Sequence, residues 1–235
     1  ALIACAAAGI IIGCLGLTGL GLKISGIIVS VAGGNLIILL LLAAAGSFIL
    51  GMGMTAVPCY ITLAILVAPA LEKMGVPLIA AHLFCFYWGI ASFISPPVAV
   101  AAYVASGIAD CSSFKIALQA VRLGFCTFII PFVFAFDPAL IMIGSPVEIV
   151  SRGIIVLLAV AALAAGISGY LLKKTSLLER LFLIGGAIAL IEPSWAGTAI
   201  GIVPLALVML WQVKAKRIAK SAGQITAGQE GTLRV

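Results

Sequence analysis

Charge is what this sequence has least of. Of its 235 residues, 9% are charged and 64% are hydrophobic, whereas a soluble domain carries about 25% charged residues. So few charges cannot cover a surface facing water, which excludes a soluble enzyme. A lipid bilayer removes the need, because acyl tails solvate apolar side chains. There are seven acidic residues, Glu72, Asp110, Asp137, Glu148, Glu179, Glu192 and Glu230. All read as segment ends, loops or tail, so a proton relay through carboxylates at membrane depth has no candidate. His82 is the only histidine, and it reads as a residue near a helix start rather than a chemical group. The six cysteines, Cys5, Cys14, Cys59, Cys85, Cys111 and Cys126, form no C-x-x-C pair. They read as small buried hydrophobes, not as a disulfide framework or a metal site. No Ser/His/Asp set and no basic nucleic-acid face is present, and Gly51-Met52-Gly53 lacks the strand–helix context of a phosphate loop. An initiator Met and a basic leader are also missing before the first apolar run, so the chain reads as the later part of a longer protein.

What remains is a series of apolar runs, each near the roughly 20 residues that cross a hydrocarbon core. The chain is therefore read as an all-α integral membrane protein. Residues 2–22 form a first span, closed by Lys23, with Gly9 and Gly13 spaced for close helix approach. Residues 27–71 do not behave as two ordinary spans. The octet from Gly51 to Pro58 breaks them, by glycine flexibility and by the proline's missing donor. The apolar arm beyond it is read as too short to cross. No charge occurs between Lys23 and Glu72, so the breaker lies at membrane depth. Irregular backbone there is tolerated only against protein or a wet cavity, which predicts a re-entrant hairpin.

Residues 78–108 are too long for one untilted span, and Ser92-Phe93-Ile94-Ser95-Pro96-Pro97 interrupts them. Adjacent prolines remove two donors and free the carbonyls of about Ser92 to Ile94. A discontinuous helix is predicted. A span over 114–136 follows. Extra C-terminal helices fill 146–213, and residues 214–235 make a polar cytoplasmic tail, unstructured from Ser221 onward. The basic clusters at Lys173, Lys174 and Arg180, and at Lys214, Lys216, Arg217 and Lys220, set the orientation by the positive-inside rule. With the tail inside, the hairpin enters and leaves from outside, near Lys23 and Glu72. Trp88, Trp195 and Trp211 read as interfacial anchors.

With no carboxylate at depth, the polar groups available there are backbone carbonyls, hydroxyls and helix-end dipoles. Those are the ligands a monovalent cation uses in broken-helix transporters. Helix starts beyond Pro58 and Pro97 would point positive ends at an anion. The expectation is cation-coupled uptake of an anionic solute, with no cofactor besides a hard monovalent cation such as sodium as the coupling ion. The candidate ion and substrate residues are Gly51, Met52, Gly53, Thr55, Pro58, Ser92, Ser95, Pro96 and Pro97. Gly51 and Gly53 would expose carbonyls to the cation, and Thr55, Ser92 and Ser95 would offer hydroxyls. For each hydroxyl a second reading stands beside this one: it bonds back to its own helix. The alternative function is a membrane-embedded enzyme acting on a lipid.

The run from Gly51 to Ile61, the stretch Leu66-Val67-Ala68-Pro69-Ala70-Leu71, the segment His82-Leu83-Phe84 and Ser95-Pro96-Pro97-Val98-Ala99 resemble the large permease subunit of TRAP transporters. They are most similar to the fused-permease type that works with TAXI-class binding proteins. The likeness covers residues 1–145, the second inverted repeat of the transport domain. It implies an elevator-type sodium symporter of the bacterial inner membrane, moving carboxylates such as dicarboxylates, with Gly51 to Pro58 and Ser92 to Pro97 forming one sodium half-site, the ion held by backbone near Gly51, Gly53, Ser92 and Ser95. It also implies a periplasmic solute-binding protein and the N-terminal remainder of the permease as partners. Two positions depart from the family pattern: Ser95 stands where a threonine usually precedes the proline pair, and Thr55 precedes Pro58 where the proline usually comes first.

Overall fold

The structure is a computed structural model. It describes residues 2–232, with side chains described over 13–214 and at Ala6, Gly9 and Ile10. Lys216, Arg217, Lys220, Glu230 and Cys5 lie outside the described side chains. All the regular structure among the described residues is helical apart from one isolated bridge, Tyr170 to Lys174. The chain divides into two compact units, residues 1–150 and 151–235.

In the first unit, α1 (Leu2–Thr18) and α2 (Leu20–Ala32) meet at Gly19 in the left-handed conformation. The expected first span over 2–22 is therefore corrected. Lys23 does not close a helix; it lies exposed within α2, which runs on to Ala32. A lone lysine carries its charge outward on a long stem and leaves the backbone hydrogen bonds intact. Gly9, Gly13 and Gly16 would meet nothing within 4 Å if they carried a Cβ, so no close approach occurs at them among the described residues. Ser25 on α2 is buried, and its hydroxyl donates to the Leu66 carbonyl at 2.8 Å.

The hairpin starts at Leu36, not at residue 27. The turn Gly33-Gly34-Asn35 ends α2, and the Asn35 side chain accepts from the Ile37 and Ile38 amides. This N-cap satisfies two of the donors that a helix start leaves free. The arms are α3 (Leu36–Gly51), then α4 (Ala56–Leu66) and α5 (Ala68–Lys73). Pro69 at the head of α5 supplies no N–H, and Ala70 bonds back to Val67. That leaves the Leu66 carbonyl for Ser25, so a sequence breaker on one helix is completed by a hydroxyl on another. The second arm is also longer than expected. Ala56–Lys73 is an 18-residue apolar helical segment, long enough to cross a membrane, because the Val67 offset is too slight to end it.

A broken helix follows as expected: α6 (Leu78–Ala91), an irregular stretch over 92–99, and α7 (Val100–Ala109). Next come α8 (Ser113–Leu123) and α9 (Phe125–Phe136), bent by 42° at Gly124, so the region expected as one span is two helices. The buried core joins α3, α4, α5 and α6 through Leu39, Leu40, Leu63, Leu71 and Phe84. Half-buried Trp88 packs against this core, with Phe48, Phe128 and Phe132 edge-on around it. It packs inside the bundle, where an interfacial anchor was expected.

The second unit holds most of α10 (Pro146–Ser168), with α11 (Leu177–Ile191) and α12 (Trp195–Thr232). α12 corrects the expected unstructured tail, since its helix continues to Thr232. Ala, Lys, Arg and Gln are good helix formers, and no proline follows Pro204. Glu179 and Asp137 are buried although both sit at helix ends. Glu179 accepts from the Ser176 amide at 2.8 Å and from Gln212 at 3.2 Å, and pairs with Lys173 at 3.6 Å. Of the cysteines, Cys59 and Cys85 are buried while Cys14 and Cys111 are exposed, and these four and Cys126 are free thiols.

Candidate functional site

The hairpin tip and the helix break meet. Gly51 is the last residue of α3, and its backbone lies directly against the carbonyl oxygen of Gly89 on α6. A Cβ at Gly51 would also come within 3.0 Å of the Ser92 hydroxyl. On the other side of the same turn, a Cβ at Gly89 would come within 2.8 Å of both Cys59 Sγ and a Leu63 methyl on α4. Two glycines thus let α3, α4 and α6 converge where the chain is about to become irregular in two places.

Beyond Gly51 the tip leaves helical geometry through Met52 and Gly53, the latter at φ 93°, a conformation that glycine adopts without strain. Thr55 occupies the N-cap of α4 but makes no capping hydrogen bond, and its side chain is exposed. Pro58 in the first turn of α4 has no N–H to give. Its carbonyl accepts from the Thr62 hydroxyl at 2.9 Å.

At the break, Ser92 and Ser95 are both buried. The Ser92 hydroxyl donates to Gly89 at 2.9 Å, and that of Ser95 to Ala91 at 2.6 Å. Both hydroxyls therefore bond back to their own helix. Each donates its single proton and keeps lone pairs on oxygen that can accept or hold a cation. The break is spanned by one backbone bond, from the Ala101 amide to the Phe93 carbonyl at 3.1 Å. Ala99, buried ahead of α7, takes φ 38°, which a side chain disfavours. Among the described residues no hydrogen bond is seen to reach the carbonyls of Ser92, Ile94 and Pro96. Pro96 and Pro97 face α7 and α8, where with Ala99, Tyr103, Ser113, Phe114 and Ala117 they border a cavity of about 40 Å³. That is room for water molecules or a bare ion, and too little for an organic acid.

Of the candidates read from sequence, the structure brings Gly51 and Ser92 together. Gly53 and Thr55 stand exposed at the tip, Met52 and Pro58 flank it half-buried, and Ser95 to Pro97 lie further along the break. No set of three or more His, Cys, Asp or Glu that could hold a metal occurs among the described residues. Gly89 escaped sequence reasoning. Its signal was present, a glycine three residues ahead of Ser92 in a run of large apolar side chains. Tyr60, Glu72 and His82 also come together, and no spacing rule links residues so far apart in sequence.

A multi-pass all-α membrane protein with two broken elements joined at their breaks belongs to the class of membrane transporters. The family model for the DctM component of the tripartite ATP-independent periplasmic transporters matches residues 1–149, and the chain belongs to that family. No curated protein and no solved structure matches it.

Proposed function

We propose that this chain is part of a sodium-coupled permease that imports organic acids delivered by a periplasmic solute-binding protein. The family supports a transporter working with the other components of a tripartite system. The chemistry of the junction supports the coupling ion. Gly51, Gly53, Ser92 and Ser95 offer carbonyl and hydroxyl oxygens, the hard ligands that sodium takes, and no carboxylate stands among them. Met52, Thr55, Pro58, Pro96 and Pro97 border the same region, and the solute's carboxylate would meet the first turn of α4 or α7. In this reading the hairpin is re-entrant, the first unit moves as an elevator, and the protein lies in the inner membrane with its C-terminus cytoplasmic. The second unit supplies the additional helices of a fused, TAXI-associated permease.

The observation that carries this is the seating of Gly51 against Gly89 and Ser92, which couples the hairpin tip to the helix break. The test is uptake of labelled dicarboxylates by the full-length permease with its binding protein, reconstituted in proteoliposomes with and without a sodium gradient. Gradient-driven accumulation is expected; equal uptake in the two conditions overturns the coupling.

A further inference from the structure

His82 sits in the second turn of α6 and reaches both helices of the hairpin's second arm. Its Nδ1 lies 3.1 Å from the Tyr60 hydroxyl on α4, and its Nε2 lies 3.7 Å from a Glu72 carboxylate oxygen at the end of α5. The imidazole and phenol rings meet edge-on at 6.0 Å, and Phe86, one turn further along α6, closes on the same phenol at 5.8 Å. The Tyr60 hydroxyl and Nδ1 are within hydrogen-bond distance, whereas the Nε2–Glu72 separation of 3.7 Å exceeds it. His82 and Tyr60 are half-buried, while the Glu72 side chain is 38% exposed and meets water.

The position of this bond gives it a use. Tyr60 follows Cys59, which packs on Gly89, and lies two residues beyond Pro58 at the tip. His82 lies seven residues before Gly89, about 10 Å along α6. A bond between these helices therefore fixes how α4 crosses α6, and with it the seating of the tip on the break. Hydrophobic contact alone is non-directional and allows sliding; a directional hydrogen bond at Nδ1 does not.

We propose that Tyr60 and His82 are positioning residues for transport, a strap that ties the second arm of the hairpin to the broken helix and holds the tip in register with the break. The proposal rests on the reading above that tip and break together hold the ion. It is tested in the full-length permease with its binding protein, in proteoliposomes, using Tyr60→Phe, His82→Gln and the double variant of Tyr60 and His82. The sodium KM should rise about 3- to 10-fold in the Tyr60 and His82 variants, the worth of one such bond, with maximal rate within about two-fold. The double variant should be no worse than His82→Gln alone, because both remove the same bond. Unchanged sodium KM, or additive effects, overturns the strap. Hydrogen exchange at the amides of residues 52–57 in the purified protein decides the matter without reference to sodium. Tyr60→Phe should speed exchange there several-fold and leave that of α11 unchanged; equal rates at the tip refute the strap even if uptake proves independent of sodium. Sodium-independent uptake with faster exchange instead refutes the coupling and keeps the strap.

Discussion

Replacing Gly51 with alanine asks the most of this structure. The new methyl would collide with the Gly89 carbonyl oxygen and lie 3.0 Å from both the Gly89 carbonyl carbon and Ser92 Oγ. Carbon atoms rest about 3.5–4.0 Å from their neighbours, and the obstacle is backbone, which cannot rotate away. The tip must lift from α6 by about 1 Å. Overpacking of this kind costs about 1–3 kcal/mol, and the displacement moves Gly51 away from Gly89 and Ser92. The expected result is a lower unfolding temperature in detergent and a sodium KM raised about ten-fold or more. Gly46→Ala in the same helix is the control. Nothing lies within 4 Å of a Cβ there, so it should be neutral or gain about 0.5–1 kcal/mol. If the two variants behave alike in sodium-driven uptake and in thermal unfolding, the seam does not hold tip and break together.

Replacing Pro96 and Pro97 together with alanine restores two amide donors at the break; the protein should still insert, at normal levels by immunoblot, while uptake falls at least ten-fold. Glu179→Ala should destabilise the protein by about 1.5–3 kcal/mol, since it strips a carboxylate from the Ser176 amide and Gln212; Gln212→Leu should cost a comparable amount by thermal unfolding. In the second unit a Cβ on Gly186 would lie 3.0 Å from the Gly201 carbonyl oxygen, and one on Gly201 2.7 Å from that of Gly186. Gly186→Leu should therefore force α11 from α12 and lower the unfolding temperature, whereas Gly185→Leu, with open space beside it, should not.

Several features were legible because the bilayer makes them so. Pro96, Pro97 and Gly53 interrupt helices through covalent geometry, while Pro58 is tolerated in the first turn of α4, and a run without charge led the breaks to be read at membrane depth. The hairpin and the broken helix could be read on that basis. Element ends were less legible. Lys23 looked like a terminus, but a single charge on a flexible stem does not interrupt a helix. Gly33, Gly34 and Asn35 end α2 through left-handed backbone and a side-chain cap, a local signal that the apolar run around it hid. The Ser92 and Ser95 hydroxyls left two readings open in the sequence; the geometry shows both donating to their own helix, with lone pairs still available.

By itself, then, the sequence determined that this chain lives in lipid, is helical, and breaks at two places, because composition and proline chemistry act residue by residue. Tertiary structure alone decided that the two breaks meet at Gly51 and Gly89, and that Tyr60, Glu72 and His82 converge. Those are distances between residues far apart along the chain, set by how three helices cross and by the missing Cβ atoms that let them touch.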